Sequence, residues 1–490
     1  MAIIRSQTLS GRRLLRSSLY LLGLFALCFS FWIHRCFGKP DLSQIAYHMS
    51  FGAELMDTVD PVLTQRFIKW CLLAPLAFVA MLSYMELRWW GVIARLPQCC
   101  QTLLYRVHRW FPQLLVLGAA TFWMCDVSAF KYITADFGPD YFGANYVSPA
   151  TVRLQAQQPK NLIVIYVESL EQGYADSATF GHDLLAPLNE LKGTRFADYE
   201  QAPGTGWTIA ALVATQCGVP LERVSIFDGN TQGEMMNSFL KHAVCLTDLL
   251  AQRGYHNVFM GGASTSFAGK DKFLNQHHYH EVYGREDWLK SGVPASQMNG
   301  WGLYDADLFS RAKTKLRELA ASHQRFDLTL LTVDTHEPEG HLSARCTERG
   351  YASFEGVVSC TAQEVADFVR FAQDNGYLED TNIVILGDHL SRKNPLTDQL
   401  TKQPERTIFN TFISQQTPQP NRAQLLHFDL MPTILEFAGY EVPGGRLGLG
   451  YSGFNQHSVQ PPTARAADME KDLLNRSDLY MNLWGDADGE

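Results

Sequence analysis

After residue 135 the chain carries no stripe of lysine or arginine, and 41 Lys+Arg against 50 Asp+Glu leave a net charge of −9. A protein that grips nucleic acid shows a basic footprint, so that class of partner is excluded. The ten cysteines include no C-x-x-C pair, which removes zinc-ribbon structural sites. No segment repeats, which excludes solenoids and propellers. The first apolar run has no small-x-small cleavage site after Ile33, and two more runs follow it. It therefore reads as a retained anchor, not a removable signal peptide.

What is present divides the chain sharply. At 490 residues it exceeds one compact core, and its 46% hydrophobic content is unevenly spread. Residues 1–135 hold the apolar runs Ser17–Ile33, Trp70–Met85 and Trp110–Phe130. A spanning helix needs ~20 largely apolar residues, so three transmembrane helices are expected, the third with Asp126 near its outer end. Arg5, Arg12, Arg13 and Arg16 precede the first run, and Arg88, Arg95, Arg106 and Arg109 lie between the second and third. Acidic residues (Asp41, Glu54, Asp57, Asp60) fill the other connection. By the positive-inside rule the N-terminus is cytoplasmic, and three crossings put the remainder outside. Cys217, Cys245, Cys346 and Cys360 then face an oxidising compartment. Four cysteines allow three connectivities; the local one, 217–245 and 346–360, closes the shortest loops, with buried free thiols as the alternative.

Residues 136–160 read as a polar linker, 161–455 as the catalytic domain and 456–490 as a flexible tail. Strands at 161–167, 256–260, 327–333 and 382–386 alternate with helical patterns at 240–253, 304–322 and 362–375. That alternation predicts an α/β domain with a mostly parallel sheet sandwiched by helices. Asp429 is expected to cap a helix ending before Gly439.

The reactive residues stand where strands end. Glu168 follows Asn161–Val167, His336 follows Leu328–Val333, and Asp388 and His389 follow Asn382–Leu386. Thr208 ends the glycine-broken turn Gly204-Thr-Gly-Trp-Thr208, ahead of a helical run. Open α/β sheets bind ligands at the carboxyl ends of their strands. Two carboxylates, a histidine and a hydroxyl there suit a divalent ion with its own nucleophile, hence phosphoryl-type chemistry. The competing reading makes Thr208 an N-cap and His336 an ordinary loop histidine. The cluster Asn275-Gln-His-His-Tyr-His280 follows no strand end and reads as solvated surface. Lys270 stays open between a phosphate contact and a surface residue.

Val167-Glu-Ser-Leu-Glu171, Gly204-Thr-Gly-Trp-Thr-Ile209, Asp334-Thr-His-Glu-Pro338, Gly387-Asp-His389 and His427-Phe-Asp-Leu-Met-Pro432 occur in an order that resembles the alkaline phosphatase/sulfatase superfamily. Within it they look like the lipoteichoic acid synthase branch, and most like membrane-bound phosphoglycerol transferases of osmoregulated periplasmic glucans. The late Gly445-Arg-Leu-Gly-Leu-Gly450 is similar to that subgroup too, and the resemblance covers roughly residues 160–455. It implies one divalent ion on Glu168, Thr208, Asp388 and His389, manganese foremost, with zinc or magnesium as alternatives. It implies Thr208 as nucleophile, with His336, Lys270 and Trp207 at the substrate. Lipoteichoic acid synthases carry tryptophan and arginine where this chain has Ala268 and Lys270, so the charge is kept and the bidentate fork lost. The formylglycine motif C-x-P-S-R is absent around Thr208, which argues against sulfate ester hydrolysis. The expected function is transfer of phosphoglycerol from phosphatidylglycerol to a periplasmic glycan, by a multi-pass protein of the bacterial inner membrane. The alternatives are a phosphoethanolamine transferase and a catalytically inactive membrane sensor.

Overall fold

The computed structural model describes residues 2–38, 45, 60–93, 95–127, 137–221 and 238–485. The chain separates into two compact units, Met1–Leu42 with Asp60–Ile133, and Ser43–Val59 with Thr134–Glu490.

Three long helices make up the first unit. One spans Ala2–Phe37, and another runs from Pro61 to Ile93 through a π-helical stretch at Ile68–Leu73. Proline at the first helical position and an Asp60 side chain accepting the Val62 N–H fix where the latter begins. Within these, Arg13–Phe37 and Pro61–Met85, 25 residues each, are long and apolar enough to cross a membrane. Their most apolar windows are only 11% and 17% buried by protein, so side chains such as Phe31, Leu76 and Met81 face outward. The third helix, Gln98–Asp126, is different. Its first part carries Arg106, His108 and Arg109, and the apolar stretch from Trp110 to Cys125 falls short of ~20 residues. The expected end at Phe130 lies outside the described residues. Asp126 closes this helix and accepts hydrogen bonds from Ser30 Oγ (2.7 Å) and His34 Nε2 (2.8 Å).

In the second unit the sheet comprises β1 (Asn161–Val167), β2 (His256–Gly261), β3 (Glu281–Tyr283), β4 (Phe326–Leu331), β5 (Thr381–Gly387) and β6 (Asn410–Ile413), in the order β3-β2-β4-β1-β5-β6. Only the β5–β6 pairing is antiparallel. The central strand explains why. Leu162, Val164 and Tyr166 point into one hydrophobic cluster, and Ile163, Ile165 and Val167 into the other. A strand buried on both faces reads as an unbroken apolar run and needs helices above and below. β3 and β6 escaped the sequence reading because each is short and lacks such a run.

Several boundaries differ from expectation. The helix expected over 240–253 is confined to Leu246–Gln252, where Asp248 accepts the Cys245 N–H and so starts it. The helix expected from 362 begins at Ser353. Residues 141–156 are no simple tether: Phe142 is buried against Tyr480, and Gln155–Ala156 pair with Tyr440–Glu441. Nor is 456–490 a loose tail where it is described. Helices Arg465–Asp472 and Asp478–Trp484 bury Met469, Tyr480, Leu483 and Trp484 in the core. Polar composition concealed this because the apolar residues recur at helical spacing among charges. Cysteines 217 and 245, and 346 and 360, form disulfides.

Asp327 in β4 is wholly buried, with only Thr329 Oγ1 donating to it at 3.0 Å. Burial raises its pKa to about 7, against ~3.9 in an unfolded chain. The folded state therefore binds the extra proton between these values, and stability falls as pH rises from about 4 towards 7. Asp327→Asn should remove that loss, so its urea midpoint should gain on the wild type's as pH rises. A gap independent of pH would refute a neutral Asp327.

Candidate active site

Register does the first part of the positioning. Val167 of β1 pairs with Gly387 of β5 in parallel, so Glu168 and Asp388 leave the sheet side by side, with Asp388 N–H on the Val167 carbonyl at 3.3 Å. Residue 387 has to be glycine here, because a Cβ would lie 2.0 Å from the Leu170 carbonyl oxygen. The Glu168 backbone is clamped from the loop after β4. Its N–H donates to Thr332 Oγ1 (2.9 Å), and its carbonyl accepts Thr335 Oγ1 (2.5 Å). Ser169 turns the chain at a positive φ of 55°, a conformation that costs a non-glycine residue energy. Its N–H reaches Asp388 Oδ1 and its Oγ reaches Glu168 Oε1, both at 2.7 Å.

The nucleophile candidate arrives from elsewhere. Gly204 at φ +75° permits the turn, and Trp207 in extended conformation is the N-cap of the helix Thr208–Cys217. Thr208 is thus the first helical residue and not the cap. Its Oγ1 lies 3.1 Å from Glu168 Oε2, at a helix end where unpaired N–H groups favour negative charge.

Glu168, Asp388 and His389 are all buried, with ligand atoms within 4.8 Å of one another. His389 Nδ1 donates to the Leu390 carbonyl (2.9 Å), which turns Nε2 toward Glu168 Oε1 and Asp388 Oδ2, 3.5 Å from each. Asp388 Oδ2 is buried with no hydrogen-bond donor. Such an orphaned anionic oxygen in an N/O donor set fits a divalent ion. Burial and the neighbouring Glu168 raise the Asp388 pKa to about 7. Burial pushes Glu168 up too, but His336, His389 and the Ser169 and Thr208 hydroxyls outweigh it and hold Glu168 below the usual value.

The sulfatase family profile matches residues 160–440. The chain belongs to the sulfatase family. It is 36% identical over 390 residues to phosphoglycerol transferase I of Escherichia coli, a match covering 76% of this chain and 48% of the relative. The chain thus spans about half the length of the curated relatives it matches. Among solved structures it is similar to an alkaline phosphatase superfamily protein from Vibrio parahaemolyticus (16% identity, 73% of this chain and 96% of that one, TM-score 0.49). It is also similar to the lipoteichoic acid synthase LtaP from Listeria monocytogenes (18% identity, 70% and 81%, TM-score 0.44).

The remaining expected residues fare differently. His336 is half-buried; its Nδ1 donates to the Glu337 carbonyl (2.8 Å), and its ring lies 4.3 Å from that of Trp301. Lys270 is no surface residue. It is 4% exposed, has no hydrogen bond among the described residues, and burial lowers its pKa to about 8 against the pull of Glu168. Its Nζ stands 6.0 Å from the centre of the Phe267 ring. Trp207, the residue before Thr208, is 5% exposed and belongs to the hydrophobic core cluster. His277 is buried on Asp248 and the Phe239 carbonyl, so the 275–280 cluster is not all solvated surface. Asp429 is no plain cap either, since its carboxylate is paired with Arg465 and Arg422.

Sequence reasoning missed the residues that hold this site. Glu171 accepts the Ser391 N–H (2.8 Å) and pairs with Arg406, tying the loop after β5 to that after β1. Asp334 accepts from Asn299 Nδ2 and the Asp305 N–H, and Asp305 in turn accepts from the Val333 and Asp334 N–H groups. His427 is fully buried. Its Nε2 donates to the Asp388 carbonyl (2.7 Å), and its Nδ1 accepts the Ala202 N–H (3.2 Å). It thereby joins the strand end carrying two ligands to the turn that presents Thr208, and burial lowers its pKa to about 4 so it stays neutral. The motif His427–Pro432 carries part of the resemblance, but nothing in the sequence assigns a role to the histidine itself.

His427→Phe keeps the ring's bulk and deletes both hydrogen bonds. By analogy with residues that orient metal ligands, it should weaken metal affinity roughly 10–100-fold. Titration of metal-stripped protein checks this; unchanged affinity would show that His427 only fills space.

Proposed function

We propose that this protein is a membrane-anchored, metal-dependent phosphotransferase that moves phosphoglycerol from phosphatidylglycerol to a glycan of the cell envelope through a threonine-linked intermediate. The observation that carries it is Thr208 Oγ1, at a helix N-terminus, 3.1 Å from Glu168 Oε2 and beside three buried ligands. The likeness to phosphoglycerol transferase I supports phosphoglycerol as the group moved.

Glu168, Asp388, His389 and Thr208 would hold the ion. Manganese is the first choice, and the N/O donors also admit zinc. When bound, such an ion supplies a Lewis acid that acidifies the hydroxyl and offsets phosphate charge. Thr208 Oγ1 attacks phosphorus, the new P–O bond forms, and the bond to the diacylglycerol oxygen breaks. The threonine proton, accepted first at Glu168 Oε2, ends on the departing alcohol. Lys270 offers its charge to the phosphate from within the site. A glycan hydroxyl then displaces Thr208 by the same steps reversed, restoring the free threonine. A phosphoethanolamine donor would use the same core, and the identity of the adduct separates the two.

Location rests on the disulfides. Both lie in the catalytic unit, whereas the cysteines of the helical unit are free. Disulfides persist in oxidising compartments, which supports a periplasmic catalytic unit in the bacterial inner membrane. From a cytoplasmic start this needs an odd number of crossings, with Gln98–Asp126 as the third. The donor then lies in the leaflet the site faces.

Two outcomes are expected. Given phosphatidylglycerol without acceptor, the peptide containing Thr208 should gain a glycerophosphoryl mass. Thr208→Ser should keep part of the turnover and Thr208→Ala essentially none. Normal turnover by Thr208→Ala would mean that water attacks directly and the protein is a hydrolase. Separately, a reporter enzyme that works only in the periplasm, fused after Glu490, should be active. A stable but silent fusion would place the unit on the cytoplasmic side.

A further inference from the structure

A hydrogen bond fixes one point on a ring, and a second contact is needed to fix its plane. His336 has the first, with Nδ1 donating to the Glu337 carbonyl at 2.8 Å. That bond alone would let the imidazole pivot about the line from Nδ1 to the oxygen. The second contact is Trp301, whose ring centre lies 4.3 Å from that of His336, with the planes tilted by 44°. We infer that Trp301 is the positioning residue of His336, blocking the pivot so that the imidazole stays directed at the group being transferred. This rests on the proposed function and identifies how one side chain of that site is held.

The place of His336 gives the restraint its importance. One of its ring nitrogens lies within 4.8 Å of a Glu168 carboxylate oxygen, and Glu168 also accepts from Thr208 Oγ1 at 3.1 Å. On the proposed function the imidazole thus stands beside the group that Thr208 receives, where a modest rotation would take it out of reach. A misplacement of about 1 Å can cost roughly 100-fold in rate.

Trp301 is itself held from two sides. Its backbone N–H and that of Gly302 donate to Asn299 Oδ1 at 2.8 and 2.9 Å. The Asn299 amide donates in turn to Asp334 Oδ1 at 2.8 Å, two residues before His336. One side chain therefore ties the turn of the indole to the loop of the imidazole. Toward the loop after β2, the Leu303 N–H donates to the Gly262 carbonyl at 2.9 Å. Phe267, from that same loop, meets the indole at 77°, with 5.5 Å between ring centres. The indole is wedged between the two loops that carry Lys270 and His336.

Its nitrogen argues for more than space-filling. Trp301 Nε1 is buried with no hydrogen-bond acceptor among the described residues, and a buried donor left unpaired is destabilising. Leucine or phenylalanine would pack there without that cost. What they lack is the breadth of an indole, which touches His336 and Phe267 at once.

The test is a double-mutant cycle in the full-length protein, extracted in detergent and loaded with Mn2+, reading diacylglycerol release from phosphatidylglycerol in mixed micelles. Trp301→Leu should lose about 10–100-fold in kcat/KM. Trp301→Phe, which keeps a ring beside the imidazole, should recover most of that loss. His336→Ala should lose at least as much as Trp301→Leu, and combining the two should cost no further turnover, because the ring to be restrained is gone. Mn2+ affinity of Trp301→Leu should match the wild type's. If Trp301→Leu does not fold, Trp301→Met takes its place. Losses that multiply in the double variant would overturn the inference and leave Trp301 as core packing. So would wild-type turnover by Trp301→Leu, weakened Mn2+ binding by it, or no recovery by a Trp301→Phe whose Mn2+ affinity is intact. In each of these cases a glycerophosphoryl adduct on wild-type Thr208 would leave the proposed function standing. A wild type that releases no diacylglycerol would sink both.

Discussion

Two carboxylates delivered to adjacent strand ends inside a protein set the terms for everything around them. Glu168 and Asp388 follow paired residues of neighbouring parallel strands, and neither is open to water. Like charges that close and that deep cannot both stand uncompensated. In the protein alone, Asp388 is driven toward its protonated form while Glu168 borrows the charge of two histidines. The surrounding hydrogen bonds keep the pair from relieving that conflict by moving apart. Ser169 links one carboxylate to the other, Thr332 and Thr335 hold the Glu168 main chain, and His427 holds that of Asp388. The geometry is preorganised for a cation, and its cost is borne by the sheet, buried on both faces.

The parts that were legible in the sequence are those encoded locally. An apolar run such as Asn161–Val167 declares a doubly buried strand, and the polar residue that ends it declares where the sheet opens. Glu168, Asp388 and His389 were found that way, and Thr208 from the glycines before its helix. The rest depended on contacts between distant segments. Nothing near Asp429 announces Arg465, and nothing near Glu171 announces Arg406, yet each buried carboxylate is paired with that arginine. Lys270 shows the same limit from the other side. The sequence leaves this lysine open between a phosphate contact and a surface residue, and only the packing of the loop after β2 makes it a buried cation.

The helical unit shows where composition alone misleads. Counting apolar residues gave three spans, the third with Asp126 at its outer end, whereas two helices among the described residues pass on length and hydropathy. The third helix begins among arginines, which can lie along the interface while the apolar part continues inward. The disulfides carry an independent argument about sidedness, because they report the chemistry of the compartment and not the number of crossings. One of them also bears on the site. Cys217 ends the helix that Thr208 begins, and its bond to Cys245 ties that end to the start of the next helix. The helix that Thr208 begins is therefore fixed at one end by the turn at Gly204 and at the other by a covalent link.

The charges gathered at the strand ends bear on how the proposed site would work. Glu168, Asp388 and Glu337 contribute three carboxylates, and the fixed cations facing them are Lys270 and Arg392. With all three ionised these groups carry more negative than positive charge, which would repel a phosphodiester, itself an anion. Protonating Asp388 lessens the repulsion but turns a ligand into a poor one and leaves the Thr208 hydroxyl without the help it needs. A divalent ion resolves both difficulties at once, by pairing with the carboxylates and by turning the local field positive toward the helix N-terminus where Thr208 stands. On the proposed function, a cation paired with the carboxylates would favour the later approach of an anionic lipid, with the buried Lys270 adding its charge toward the phosphate.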